Sequence, residues 1–253
     1  MRRLAVFATS AMVVVSGGLA AAASDLADGT PEPVPPPTPL VDERANRPAP
    51  AAPQRAEREP LVAEVLRRTA LRTRPRGRRV ARIGRRTEFD GRQLLAVVAQ
   101  RGRWLGVLHP ALPNSRAGWI RVESTRLYRS PWRIVVDLSD RAATLTRDGR
   151  VVERFRVGIG APGSPTPTGR YAVTDRLVNT DARSFYGCCI LALTGRQPSL
   201  PPGWSGGDRL AIHGTPGDDV GGASSGGCVR AERAVLRRLL RRVTAGTRVD
   251  VRR

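Results

Sequence analysis

The sequence predicts a mostly β protein with one helix near residue 240, and three observations predict this class. Short apolar and β-branched runs recur from residue 61 to residue 251, separated by Gly, Pro and Asp. The run 209–213 alternates so that Leu210 and Ile212 share one face of a strand while Ala211 and His213 share the other. Only residues 231–242 space their apolar side chains as a helix does.

The first segment, residues 1–23, has the order of a signal peptide. Arg2 and Arg3 precede an apolar stretch, and Ala21 to Ala23 offer a small-residue cleavage site. An uncleaved membrane anchor is the alternative, because the apolar stretch is just long enough to span a bilayer. Either interpretation places the rest of the chain outside the cytoplasm, and nucleic acid is therefore not an expected partner.

Residues 24–60 form a proline-rich segment. Ten of the 21 prolines in the chain lie between residues 25 and 60. Such a composition buries too little apolar surface to offset the entropy of ordering, and it favours extended polyproline II. The segment is therefore predicted to be a disordered linker that spaces the folded part from the membrane or the export machinery.

The charge of the chain is strongly positive, with a formal net charge of +21 at pH 7. Every basic residue is Arg, and residues 61–130 hold 17 of them against four acidic residues. A surface of this kind attracts polyanions by long-range Coulomb forces. Outside the cytoplasm this indicates the anionic polymers of a bacterial wall, with simply solvated charges as the alternative.

Residues 61–130 are predicted to form a small β module. Candidate strands are separated by turn residues, and Trp104 and Trp119 each follow a turn glycine. The pattern resembles a bacterial Src-homology-3-like small barrel, a module often found in wall-associated enzymes. The tryptophans either bind wall polymer or fill the core of the module. His109, which is followed by proline, is expected to be an exposed loop residue.

Residues 131–253 carry the clearest strand and turn pattern. Asp148 and Gly149 predict a tight hairpin. The helix 231–242 presents Val235, Leu236, Leu239 and Leu240 on its apolar face, and Gly246 follows it. The predicted strands are 134–138, 143–146, 151–157, 168–173, 209–213 and 247–251.

The chemistry is concentrated in residues 211–215, A-I-H-G-T, and residues 225–230, S-G-G-C-V-R. His213 lies 15 positions before Cys228, and an imidazole can activate a thiol by lowering its pKa or by taking its proton. Gly226 and Gly227 permit a tight turn that leaves backbone N–H groups for an oxyanion. The amino end of the following helix further favours the thiolate. A buried structural cysteine is the alternative.

These motifs resemble those of the L,D-transpeptidase catalytic domain of the YkuD type. Its pattern, H-G-[TS] followed by S-x-G-C-[IV]-R, matches here with the expected spacing, and Val220-Gly221 between them matches as well. Thr166 to Gly169 with Tyr171, and Tyr186-Gly187, are further matches, so that the resemblance covers residues 131–251. Two positions depart from the pattern: Gly226, where many relatives carry a second histidine, and the Cys188-Cys189 pair.

The resemblance implies a β-sandwich catalytic domain over 131–253 and a cell-envelope enzyme, a monomer, that acts on peptidoglycan stem peptides. It implies that such an enzyme attacks the third residue of a tetrapeptide stem, expels D-alanine and forms a 3→3 cross-link. It assigns Cys228 as the nucleophile and His213 as the general base. The residues implied to support the oxyanion or the loop are Gly227, Gly214 and Ser225. The residues implied to bind substrate are Arg230, Thr215 and Tyr186.

No cofactor is implied, and two histidines and three cysteines leave too few ligands for a metal cage. Two other functions remain open: a carboxypeptidase or hydrolase that uses water as acceptor, and a non-catalytic wall-binding protein. The attachment of wall-linked proteins, instead of other stems, is left open as well. Cys188 and Cys189 are expected to be one core thiol and one partly exposed thiol, with a bridge to Cys228 as the alternative.

Overall fold

Two β-sheets form most of the chain that the computed structural model describes, namely residues 60–181, 184–215 and 220–253. The predicted signal peptide lies outside these residues, and so does the predicted linker except for Pro60. Within these ranges, no helix combines the length and the apolar character that a bilayer-spanning segment requires.

The first sheet has seven antiparallel strands in the order β3-β2-β6-β5-β4-β1-β7. Its strands are β1 Leu61–Val65, β2 Thr69–Arg72, β3 Arg79–Ile83, β4 Leu94–Arg101, β5 Trp104–Val107, β6 Gly118–Arg121 and β7 Thr125–Arg129. A 3₁₀ turn, Val122–Ser124, precedes β7. The core of this sheet is aliphatic, and Leu71, Leu105 and Ile120 are fully buried in it. Arg121 stacks on Trp104 and Arg101 stacks on Trp119, so both rings are covered by arginine.

The second sheet has eight strands in the order β10-β9-β8-β17-β12-β13-β14-β16. Its strands are β8 Trp132–Asp137, β9 Ala142–Arg147, β10 Arg150–Arg156, β12 Gly169–Val178, β13 Cys189–Arg196, β14 Arg209–His213, β16 Val229–Arg230 and β17 Arg248–Arg252. A separate parallel pair joins β11 Ile159–Gly160 to β15 Ala223–Ser225. Helix α1, Arg233–Arg242, buries Val235, Leu236 and Leu239 in the core of this sheet.

The mostly β class with a single helix is confirmed for the described residues. The turn at Asp148 and Gly149 has positive φ at both residues, as a two-residue hairpin of the predicted kind requires. The strand β13 and the short strands β11, β15 and β16 are not anticipated by the sequence pattern. The predicted boundary at 130–131 falls between β7 and β8.

The two sheets are in direct contact within one compact unit. Asn114 exchanges two hydrogen bonds with the backbone of Arg196, at 2.7 and 2.8 Å. The Thr87 hydroxyl donates to Asp175 Oδ1 at 2.5 Å. His109 lies in the same contact region and is half-buried, with Nδ1 accepting the Ala111 N–H at 3.0 Å. The expectation of an exposed loop histidine is therefore wrong, because its loop packs against the second sheet.

Candidate active site

The two predicted catalytic residues lie on neighbouring strands. β14 pairs in parallel with β16 in a register that places Ile212 opposite Val229. His213 therefore ends β14 while Cys228 immediately precedes β16, and both side chains line one small pocket. The internal volume of this pocket is about 20 Å³, which leaves room for about one water molecule.

The imidazole of His213 is held in one tautomer. Its side chain is 1% exposed, and Nδ1 is hydrogen-bonded to the Gly214 carbonyl oxygen. A carbonyl can only accept, so Nδ1 carries the proton and Nε2 is the basic nitrogen of the neutral ring. Burial, with a smaller contribution from Arg230, lowers the pKa of His213 to about 4. The ring is therefore a neutral base at physiological pH.

The thiol of Cys228 is also held neutral. Burial raises the pKa of Cys228 above its ordinary value, although the Ala211 N–H and the Arg230 charge act in the opposite direction. The sulfur lies 3.8 Å from the Arg209 carbonyl oxygen. Desolvation outweighs these two favourable contributions, so the neutral thiol is the resting form, and the contribution of the following helix stays a prediction.

The loop before Cys228 is fixed by hydrogen bonds. The Ser225 hydroxyl donates to the Cys228 carbonyl oxygen at 2.6 Å, and it accepts the Gly227 N–H at 3.1 Å. Gly227 has φ +113°, and a Cβ at this position would lie 1.8 Å from Gln197 Nε2. Only glycine fits here. At Gly226, by contrast, a Cβ would make only ordinary contacts, so the backbone at this position does not require glycine.

Gln197 is a residue of this site that the sequence analysis missed. It is 5% exposed, and its amide Nε2 lies 3.2 Å from the Gly226 carbonyl oxygen and within 3.2 Å of two carbonyls of the 164–165 turn. A single glutamine therefore ties the loop of Cys228 to another segment of the domain. No local pattern marks Gln197, because the acceptors of its amide nitrogen are backbone carbonyls more than 25 positions away.

Aromatic side chains cover the histidine. Tyr186 packs edge-on against His213 with ring centroids 5.0 Å apart, and Phe185 lies 6.1 Å from the same ring. Trp204 packs against Phe185 and lines the pocket. Burial, and the nearby Cys228, raise the pKa of Tyr186. Of these three rings, the sequence analysis had named only Tyr186.

The other predicted residues support the site from outside the pocket. Arg230 is 7% exposed, donates to the Ser224 hydroxyl at 3.0 Å and stacks on Phe185. The Gly214 N–H donates to the Tyr186 carbonyl oxygen at 3.0 Å, which joins the end of β14 to the 184–188 loop. Thr215 follows at the edge of the described chain. Among the named residues, Tyr186, His213, Ser225 and Cys228 line the pocket, while Gly214, Thr215, Gly227 and Arg230 do not.

Cys188 and Cys189 form a disulfide with each other. The expectations of two free thiols and of a bridge to Cys228 are therefore both wrong. The alternation argument failed because Cys188 belongs to the turn that contains Gly187, at φ +64°, and only Cys189 lies in β13. Cys228 is left as the free cysteine. Across residues 60–181, 184–215 and 220–253, no three His, Cys, Asp or Glu side chains cluster as metal ligands would.

The fold and the pocket together describe a mostly β protein in which a free cysteine and a histidine share a closed site. Residues 131–251 match the model of the YkuD family, the L,D-transpeptidase catalytic domain. The chain is 28% identical over 127 residues to the putative L,D-transpeptidase YkuD of Bacillus subtilis, across 50% of this chain and 69% of that protein. Residues 131–251 are therefore similar to the L,D-transpeptidase catalytic domain of the YkuD type.

Solved structures are similar at lower identity. An L,D-transpeptidase of Enterococcus faecium is 17% identical, with a TM-score of 0.40, across 62% of this chain and 74% of that one. Bdellovibrio bacteriovorus Bd1075 is 24% identical, with a TM-score of 0.39, across 49% of this chain. The match spans 48% of the length of the Bdellovibrio chain.

Proposed function

We propose that this protein is a peptidoglycan L,D-transpeptidase that forms 3→3 cross-links through a cysteine acyl-enzyme. The observation that carries the proposal is the shared pocket of His213 and Cys228, in which Gly214 fixes the imidazole tautomer. A neutral thiol beside a neutral imidazole suits general-base catalysis, in which the proton leaves sulfur as the nucleophile attacks.

The acylation step follows from these groups. The Cys228 sulfur attacks the carbonyl carbon of the third stem residue while His213 Nε2 takes the thiol proton. The resulting oxyanion is stabilised by backbone N–H groups of the loop, and we assign this role to Cys228 first, since the Gly227 N–H is bonded to Ser225. Collapse of the tetrahedral intermediate breaks the peptide bond, and the imidazolium returns its proton to the departing amine of D-alanine.

The second step restores the enzyme. The side-chain amine of another stem attacks the thioester, His213 takes a proton from that amine, and the thiolate leaves and is reprotonated by the imidazolium. All of these proton transfers use groups of the protein itself.

The segments before the catalytic domain are part of the proposal. We infer that residues 1–23 direct export, that 24–60 form a linker and that the strands β1 to β7 form an Src-homology-3-like module over 61–130. The family is typically associated with the cell envelope, and export would bring the catalytic domain to its substrate.

Product analysis tests the function. Purified protein is incubated with disaccharide-tetrapeptide, and the products are resolved by mass. Release of D-alanine together with cross-linked dimers is expected. Tripeptide without dimers would instead establish the hydrolase alternative, and no release of D-alanine would favour a non-catalytic wall-binding protein.

A further inference from the structure

The edge of the first sheet carries an unusual run of charge. Between residues 67 and 86 the chain has ten arginines and no acidic residue. They lie on β2, on β3 and in the turns on either side of these strands. The ten are Arg67, Arg68, Arg72, Arg74, Arg76, Arg78, Arg79, Arg82, Arg85 and Arg86.

Few of these side chains have a partner within the protein. Arg72 donates to the Gly77 carbonyl oxygen and Arg86 to that of Asp90, each at 2.8 Å. Arg86 also lies 3.8 Å from the Asp90 carboxylate. Among the described residues, the other eight side chains make neither a hydrogen bond nor an ion pair. Like charges that repel one another, eight of them with no counter-charge paired to them among the described residues, are suited to an external anion.

The arginines line a groove made of two adjoining depressions. The first, of about 590 Å³, is lined by arginines and Gly84. The second, of about 330 Å³, shares Arg82 and Arg86 with it and continues to Arg196 and Arg209 between the two sheets. We call this surface the arginine groove and define it by Arg68, Arg82, Arg85, Arg86, Arg196 and Arg209.

The acidic residues of the groove do not cancel this charge. Asp175 and Glu88 line only the second depression. Glu88 forms an ion pair with Arg209, and Asp175 accepts a hydrogen bond from Thr87. His109, in the same depression, has its pKa lowered to about 4 by burial and by Arg209 and Arg196, so it is neutral at physiological pH. Arg196 is likewise paired with Asp208. The excess of positive charge is therefore concentrated in the first depression, where Arg68, Arg82 and Arg85 have no ion-pair partner among the described residues.

The chemistry of the lining selects the kind of polyanion. Guanidinium groups match phosphate oxygens with two parallel hydrogen bonds. A concave groove fits a chain better than it fits a flat lipid surface. Neither depression has a Phe, Tyr or Trp side chain in its lining, and proteins that bind single-stranded nucleic acid stack bases on such rings. We propose that the arginine groove binds a flexible polymer of phosphodiester-linked units that carries no aromatic bases.

The groove ends close to the catalytic pocket. The guanidinium of Arg209 lines the second depression, while its carbonyl oxygen lies 3.8 Å from the Cys228 sulfur. A bound polymer therefore holds the catalytic pocket within the wall without entering that pocket. This binding does not depend on transpeptidation, and its test requires no turnover.

The test is calorimetric binding of purified protein to poly(glycerol phosphate) at several salt concentrations. Single-stranded DNA, anionic lipid vesicles and a neutral polyglycerol are titrated in parallel. We expect salt-dependent binding of poly(glycerol phosphate) and none of polyglycerol. Tighter binding of DNA or of vesicles than of poly(glycerol phosphate) would overturn the assignment.

A matched pair of variants separates the groove from net charge alone. The groove variant carries Arg68→Gln, Arg82→Gln, Arg85→Gln and Arg86→Gln. The control carries Arg150→Gln, Arg233→Gln, Arg237→Gln and Arg241→Gln, which removes the same charge at other exposed positions. The groove variant should bind about tenfold more weakly. The slope of log affinity against log salt concentration should become shallower by about 0.7–0.9 for each phosphate contact removed. The control should bind nearly as the parent does.

Equal losses in both variants would contradict a specific groove, and so would an unchanged groove variant. The thermal midpoint and the turnover of soluble disaccharide-tetrapeptide establish that each variant is folded. Both values should equal those of the parent, since none of these arginines lines the catalytic pocket.

Discussion

In the catalytic pocket His213 and Cys228 are held neutral, whereas Arg68, Arg82 and Arg85 of the arginine groove are charged, exposed and without an ion-pair partner among the described residues. Burial lowers the pKa of His213 and raises that of Cys228. In the groove the arginines stay charged at any physiological pH. The comparison indicates that pH should control the chemistry of the pocket, while salt should control binding in the groove.

Many arginines elsewhere in the same chain are paired with acidic side chains. On the second sheet, Glu153 accepts hydrogen bonds from Arg238 and Arg242, and Arg133 donates to Asp250 at 2.6 Å. These pairs join the helix to β10 and join neighbouring strands. Arginine composition alone therefore does not mark a binding surface. The proposal depends on the arginines of the first depression that have no ion-pair partner among the described residues, Arg68, Arg82 and Arg85.

The largest expected effect is the loss of the nucleophile. Cys228→Ala should lower turnover by at least about a thousandfold while the fold is retained, because no other free thiol is present among the described residues. Steady-state release of D-alanine measures this. The double variant Cys188→Ala, Cys189→Ala is the control and should keep turnover. A folded Cys228→Ala protein that cross-links at the parent rate would contradict the mechanism.

The second effect is that of the base and its pH dependence. With the His213 pKa at about 4, the parent rate should stay level down to about pH 5 and fall only near pH 4. His213→Ala should be about a hundredfold or more slower at neutral pH, and its rate should rise with pH as the thiol ionises unaided. Neither profile should change with salt. An acid limb near pH 6.5 in the parent would show that His213 is not held neutral by burial.

The third effect concerns the position of the loop. Gln197→Ala should lower kcat about ten- to a hundredfold with little change in KM, because the Gly226 carbonyl loses the donor that fixes it near the oxyanion site. Gln93→Ala is the control, since Gln93 is also 5% exposed but lines the second depression of the groove instead. Equal kcat values in the two variants would remove Gln197 from the positioning of the loop.

The smallest effect is on stability. His109 is held neutral in the fold down to about pH 4, while an unfolded histidine takes up a proton below about pH 6.5. Between these values the unfolded state binds more protons, so the free energy of unfolding falls as the pH falls, by at most about 1.4 kcal/mol per pH unit for this residue. His109→Asn should reduce the slope of the free energy of unfolding against pH by the equivalent of one bound proton. Urea unfolding at a series of pH values measures this slope. An unchanged slope would place His109 in solvent.

Much of the fold could be predicted from local pattern. The strand β14 has the predicted bounds, and the helix begins two residues later than predicted, at Arg233. Strand β13 was missed because both of its faces are largely buried, so it does not alternate polar and apolar side chains. The short strands β11 and β15 depend on pairing between distant segments, and no local periodicity reports such pairing.

The residues of the candidate site also fall into those that local pattern predicts and those that it does not. Motif spacing indicated His213, Cys228 and the glycine turn, because each needs a particular residue type at a fixed position. Gln197 and Trp204 were not indicated, since they contact the site only through the tertiary fold. The raised pKa of Cys228 was not indicated either, because desolvation depends on the whole surrounding structure and a motif does not record it.

The most direct test of the account is to locate the covalent adduct formed with a carbapenem, which resembles an acyl donor. Intact-mass analysis of the parent protein should show one added inhibitor, and peptide mapping should place it on Cys228. The adduct should form at the same rate in the fourfold groove variant, and at a greatly reduced rate in His213→Ala at neutral pH. An adduct on any other residue, or one that still forms in Cys228→Ala, would contradict the proposal that the pocket of His213 and Cys228 is the site of acyl transfer.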